Sequence, residues 1–188
     1  MKVLVVQNGS QWEHRIWRRL RDLGVETALV PNTTHLDGLC DADGLVFSGG
    51  AALVGQGEAG VLGNCSAYLD GFEGPVLGIC AGQQLIATHF GGVVAPAKTP
   101  EFGEVEVKVV ESDDLFEGLP ERFKAWASHN DEVVSAPGFR LLASSESVKW
   151  HAFKHESKPV YGTLFHPEVE HTEHGEKILE NFLRVCRQ

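Results

Sequence analysis

Pro75-Val-Leu-Gly-Ile-Cys-Ala-Gly-Gln-Gln84 is the stretch that decides the fold. Val76, Leu77 and Ile79 form a short apolar run of the kind that fills a buried strand, and from Ala81 onward Leu85, Ile86 and Phe90 fall at helical spacing. Cys80 therefore sits where a strand turns sharply into a helix, with Gly78 two residues before it and Gly82 two residues after. This is the G-x-S-x-G pattern with sulfur in place of oxygen: a nucleophile on a tight turn, with glycines that allow neighbouring backbone to come close. A thiol at a helix N-terminus also feels the positive end of the helix dipole, which favours the reactive thiolate. A cysteine taken alone is more often a small core residue than a nucleophile; the glycine frame favours the chemical reading.

Working outward, Lys2–Val6 reads as a first buried strand, Gln11–Leu23 as an amphipathic helix, Val25–Val30 as a second strand and Gly44–Phe47 as a third, with a short helix around Leu36–Cys40. Val61, Leu62, Cys65, Tyr68 and Leu69 mark a further helix. Strands and helices alternating at this spacing predict right-handed crossovers and an α/β, doubly wound, mainly parallel sheet. The second half adds strand candidates at Glu104–Val110, Phe123–Ala127, Phe139–Ala143, Val148–Phe153 and Val160–Phe165, which predict antiparallel additions. A final helix, capped at or near Thr172, carries Ile178, Leu179, Phe182, Leu183 and Cys186. With no internal repeat and no linker, residues 1–188 read as one domain, long enough to bury about 70% of the unfolded surface.

The formal net charge of −10 offers no basic patch for a nucleic-acid backbone. No run approaches the roughly 18 apolar residues of a membrane span, and no signal-peptide pattern opens the chain. The four cysteines, Cys40, Cys65, Cys80 and Cys186, make neither a C-x-x-C pair nor a disulfide framework. A reduced, cytoplasmic setting is the expectation.

A nucleophilic cysteine needs a base and a group to orient that base. His166, in Phe165-His-Pro-Glu168, follows the last strand, and functional groups gather at the carboxyl ends of parallel strands. Pro167 biases His166 toward extended backbone, so His166 and Glu168 face the same way. For an oxyanion hole, the Ala81 N–H is one donor, and Ser48-Gly-Gly50 after the third strand offers another.

Gly78-Ile-Cys-Ala-Gly-Gln-Gln84, Ser48-Gly-Gly50 and His166-Pro-Glu168, in this order and spacing, resemble the class I (triad-type) glutamine amidotransferases, whose sheet is flavodoxin-like. Within them the chain is most similar to the glutaminase subunits of two-subunit GMP synthases, through Pro31-Asn-Thr-Thr34, Trp126-Ala-Ser-His-Asn-Asp-Glu-Val133 and His166-Pro-Glu-Val-Glu-His-Thr172. The resemblance implies Cys80 as nucleophile, His166 as base and acid, Glu168 as its orienter, and Gly50 and Ala81 as oxyanion-hole amides. It implies Gln84, Asn130 and Asp131 as contacts for L-glutamine. It also implies a partner, the ATP-pyrophosphatase subunit of GMP synthase, which would use ATP and Mg and convert XMP to GMP, with no cofactor or metal on this chain. The chain departs from the family at Ala51, where proline is usual, in the loop that follows up to Gly60, and at Gln83, where histidine is common. The Ala51–Gly60 segment is the candidate for a loop that a partner moves.

Other readings weigh less. Gly55-Gln-Gly-Glu-Ala-Gly60 fits G-x-G-x-x-G but does not follow the first strand, as a dinucleotide site requires. His166, Glu168, Glu170, His171 and His174 lack a metal-ligand spacing. His151 and His155 read as surface residues, and Phe123 with Trp126 as core. The remaining functional alternatives are the glutaminase of another synthase, such as the anthranilate or aminodeoxychorismate type, a γ-glutamyl hydrolase, or a non-catalytic protein on the same scaffold.

Overall fold

A computed structural model describes all of residues 1–188. Nine strands form one sheet, and the parallel half is built from the apolar runs read above. Its strands are β1 (Lys2–Gln7), β2 (Glu26–Pro31), β3 (Gly44–Phe47), β4 (Val76–Ile79) and β9 (Val160–Thr163). Across the whole sheet the order is β2-β1-β3-β4-β9-β8-β7-β5-β6. Pairing is parallel from β2 to β9 and antiparallel beyond, through β8 (Ala152–His155), β7 (Phe139–Ser144), β5 (Val93–Val109) and β6 (Arg122–Ser135).

Because side chains alternate across a strand, each parallel strand feeds two cores. Val3, Val5, Val46, Leu77 and Ile79 pack with α1 (Glu13–Asp22) and α4 (Gly175–Val185), whose Ile16, Leu20, Ile178, Leu179 and Phe182 are fully buried. Leu4, Val6, Leu45, Phe47 and Val76 face the opposite way, onto α2 (Cys65–Gly71) and α3 (Ala81–His89). Every residue of β3, β4 and β9 is buried, as expected of strands covered on both faces.

The antiparallel half departs most from the sequence reading. β5 runs for 17 residues and begins at Val93 rather than Glu104, and β6 continues to Ser135. Together they make a long ribbon whose register jumps between Pro96, opposite Asp131, and Glu101, opposite His129. The last part of the Val148–Phe153 candidate falls in β8, which starts at Ala152. His174, in left-handed backbone at φ 59°, precedes α4 in place of Thr172. Two further assignments are corrected. His151 is fully buried rather than superficial, and His155 is half-buried against the rings of Phe90 and Phe139. Phe123 is core as read, whereas Trp126 is only partly buried and lies over His171, ring centroids 4.8 Å apart. No helix is long and apolar enough to cross a membrane.

Candidate active site

β3, β4 and β9 are adjacent, and the segments leaving their carboxyl ends carry Ser48–Gly50, Cys80 and His166 respectively. Cys80 has φ 52° and ψ −109°, one of only two non-glycine residues with positive φ. L-residues adopt such a conformation at a cost of roughly 1–3 kcal/mol, so the surrounding packing must enforce it. Its amide donates to the Thr163 carbonyl at 2.8 Å, and its carbonyl accepts from Gln84 N at 3.0 Å, which pins the β4–α3 turn to β9 on one side and to the first turn of α3 on the other. The two flanking glycines are there for space. A Cβ on Gly78 would lie 2.6 Å from the Gly82 carbonyl, and one on Gly82 would lie 2.7 Å from the Phe47 carbonyl. The strand-to-helix crossing is closer than any side chain allows.

His166 Nδ1 lies 2.8 Å from Glu168 Oε1, with both side chains buried. The other ring nitrogen, Nε2, is buried with no hydrogen-bond partner, and the ring borders the same pocket as Cys80. Gly49 sits between them, since a Cβ there would be 3.3 Å from His166 Cε1 and 3.4 Å from Cys80 Cβ. Burial works against a charged His166 ring, but the Glu168 carboxylate and the Cys80 sulfur outweigh it and raise the pKa from 6.5 to about 10. The backbone around His166 is clamped to β6: its amide donates to the Trp126 carbonyl at 2.9 Å. The Thr172 hydroxyl donates to the His166 carbonyl at 2.7 Å and accepts from Trp126 N at 2.9 Å. Thr172, read as a helix cap, is instead part of this clamp.

A raised folded-state pKa has a consequence for stability. The charged ring contributes fully below pH 6.5 and loses its contribution as pH climbs through about 10. The melting temperature is therefore expected to fall between pH 7 and pH 10, and His166→Asn should flatten that fall. Equal slopes for the two proteins in calorimetric scans across this range would refute the assignment.

The pocket has a volume of about 290 Å³. Gly50, Cys80, Ala81, Gln84, Asn130, Asp131 and His166 all line it, so seven of the eight residues read from sequence meet in one place. Glu168 stands behind His166. Ala81 is the first residue of α3, so its N–H is among those with no intrahelical partner. Gly50 packs so tightly on Asn8 that a Cβ would lie 2.2 Å from the Asn8 carbonyl oxygen. Gln84 Nε2 donates to the Asp131 carbonyl at 2.9 Å, and Asp131 Oδ2 accepts from Gly55 N at 2.9 Å. The Ala51–Gly60 segment thus consists of short 3-10 turns pinned to the pocket wall at Gly55. Asn130 is exposed at the rim.

Sequence reasoning missed three contributors. Trp12 meets the His166 ring edge-on, centroids 4.5 Å apart; the Ser128 carbonyl faces Cys80 Sγ at 3.6 Å; and Phe102, 66% exposed, borders the mouth. Trp12 was legible only as the start of an apolar helix face, and a carbonyl leaves no trace in a sequence.

Residues 4–186 match the family model for glutamine amidotransferase class-I. The chain is similar to a glutamine-hydrolyzing GMP synthase subunit of Thermoplasma acidophilum, 48% identical over 190 residues, covering 99% of this chain and 93% of that protein. It is likewise similar to the subunit of that name from Archaeoglobus fulgidus, 47% identical over 189 residues and the full length of both. A crystal structure of a T. acidophilum protein, 47% identical, superposes with a TM-score of 0.95 over 100% of this chain and 94% of that one. A Thermotoga maritima glutamine amidotransferase, 19% identical, shares the fold with a TM-score of 0.71, covering 100% of this chain and 82% of that one. The chain belongs to the class I glutamine amidotransferases.

Proposed function

We propose that the chain is the glutaminase subunit of a two-subunit GMP synthase, releasing ammonia from L-glutamine for a separate synthetase subunit. The observation that carries the chemistry is a strained Cys80 sharing one pocket with a His166–Glu168 pair. Cys80 thiolate attacks the side-chain amide carbon of glutamine, and the oxyanion is received by the amides of Gly50 and Ala81. The C–N bond breaks as His166 delivers its proton to the departing ammonia, leaving a glutamyl thioester. Water then attacks the thioester, giving its proton to His166, and glutamate leaves with the thiol restored. Glu168 holds the imidazole through Nδ1 so that Nε2 faces the reaction. Gln84, Asn130 and Asp131 form the wall that receives the amino-acid end of glutamine.

The high identity to subunits named for GMP synthesis, over nearly their whole lengths, supports the choice of acceptor. On this reading ATP and Mg belong to the partner, which activates XMP. The family match over residues 4–186 and the single continuous sheet support one amidotransferase domain over 1–188.

The test is to mix the chain with an archaeal-type ATP-pyrophosphatase subunit, ATP, Mg²⁺, XMP and glutamine, and to follow glutamate and GMP together. Equimolar products, with glutamate release faster than for the chain alone, are expected. Glutamate release without any GMP would reject the acceptor and leave the thiol chemistry standing; no glutamate under any condition would reject both.

A further inference from the structure

A second polar constellation lies just behind the pocket wall. Glu101 is 6% exposed and its Oε2 is 2.8 Å from His129 Nε2 and 2.7 Å from His151 Nε2. Its Oε1 accepts from Ser145 Oγ at 2.7 Å and from Ser147 Oγ. Burial disfavours the carboxylate, yet the bonds from His129, His151 and Ser147 hold its pKa well below the usual range, so it accepts and both Nε2 atoms donate. Each Nδ1 is then a buried nitrogen with no partner. Three potential metal ligands meet here, but a metal on both Nε2 atoms would drive the ring protons onto Nδ1 atoms that have no acceptor. The arrangement suits a tie between strands better than an ion.

What it ties is the glutamine wall. Glu101 is where β5 resumes pairing after the jump at Pro96, which leaves Asn130 outside the ladder. On one side of Asn130, Asp131 is held by Gly55 and Gln84; on the other, His129 is held by Glu101. Successive residues along a strand alternate in face, so the paired Glu101 and His129 side chains lie on the opposite face of the ribbon from the paired Phe102 and Ser128; of the four, only Glu101 does not border the pocket. The second partner reaches the other side of the site. His151 accepts from Leu164 N at 2.8 Å through its carbonyl, and its ring stacks on Phe165, the neighbour of His166.

Resting on the function proposed above, we infer that Glu101 is a positioning residue for glutamine: by joining His129 to His151 it sets the Ser128–Asp131 wall against the segment after β9 that carries His166. The wall receives glutamine in ground and transition states alike, so its displacement weakens binding more than it slows chemistry. Glu101→Gln is expected to raise KM for glutamine about tenfold and change kcat by less than about threefold, with Glu101→Asp restoring most of the difference. Sites are counted by labelling Cys80 with an electrophilic glutamine analogue, so unfolded protein does not enter the rates. If Glu101→Gln does not fold, His151→Phe keeps the volume, removes one bond and is expected to raise KM about threefold.

An unchanged KM in the folded variant, or equal losses in kcat and kcat/KM, overturns the inference. So does Zn²⁺ shifting the ring ¹⁵N resonances of both histidines, which marks a metal centre; unchanged Nε2–H resonances are expected. Cys80→Ala in the same assay separates the two readings: if it stays active the site itself is misread, whereas if it is dead and Glu101→Gln is normal, only this inference fails.

Discussion

Cys80→Ala is expected to lower glutamine turnover by roughly four to six orders of magnitude, because members of a nucleophile–base unit fail together rather than in proportion. The Gln84–Asp131 contact and the proposed oxyanion amides remain, so glutamine should still bind, and isothermal titration with the inactive variant should give an affinity close to the wild-type KM. The same position also separates chemistry from strain. Alanine inherits the unfavourable φ of 52°, whereas glycine does not. Cys80→Gly should be as inactive as Cys80→Ala but more stable than it by about 1–3 kcal/mol in urea unfolding. Retained turnover in either variant would remove Cys80 from the chemistry, and equal stability would remove the strain.

The second large effect is expected at Gly82. A Cβ there meets the Phe47 carbonyl oxygen at 2.7 Å, the Phe47 Cβ at 2.9 Å and the Ser48 carbonyl oxygen at 3.2 Å. None of these is the loose end of a flexible side chain, so α3 must back away from β3. Gly82→Ala should cost about 1–3 kcal/mol of stability as an overpacking substitution. Because α3 begins at Ala81, the shift moves the amide beside the nucleophile, and a displacement near 1 Å is enough to lower kcat about a hundredfold. Gly60→Ala is the control: nothing lies within 4 Å of the added carbon, and an effect within about 0.5 kcal/mol is expected. Denaturant midpoints and turnover measured on both variants decide the point. If Gly82→Ala matches the control, the close crossing is not what holds the elbow.

Both effects arise from features that the amino-acid sequence displays openly. Buried parallel strands are continuous apolar runs, so Gly44–Phe47 and Val76–Ile79 announce themselves, and a cysteine framed by two glycines at a strand-to-helix junction is seldom mere core. The antiparallel ribbon was harder to read. The first part of β5 contains Pro96 and Pro100 and mostly exposed residues, a composition that reads as loop until β6 is known to lie beside it. The tie behind the wall was invisible for a related reason. Glu101 finds partners 28 and 50 residues away, and each of the three residues alone has the composition of surface. Local pattern encodes the elements and the elbow. Long-range polar pairing, which supports the binding wall, is written only in the fold.

The place of β9 has a consequence for how the protein is made. It occupies the middle of the sheet, between β4 and β8, yet it is the last strand in the chain. During translation, therefore, one edge of β4 stays open until residues past Val160 leave the ribosome. An open, apolar, central edge is the kind of surface that seeks other strands, and chaperones would find their substrate there. The thiol of Cys80 waits on the same event, since His166 and Glu168 arrive with the segment that follows β9. On the proposed mechanism, insertion of one late strand closes the sheet and arms the nucleophile together, so an unfinished chain is expected to show no glutaminase activity.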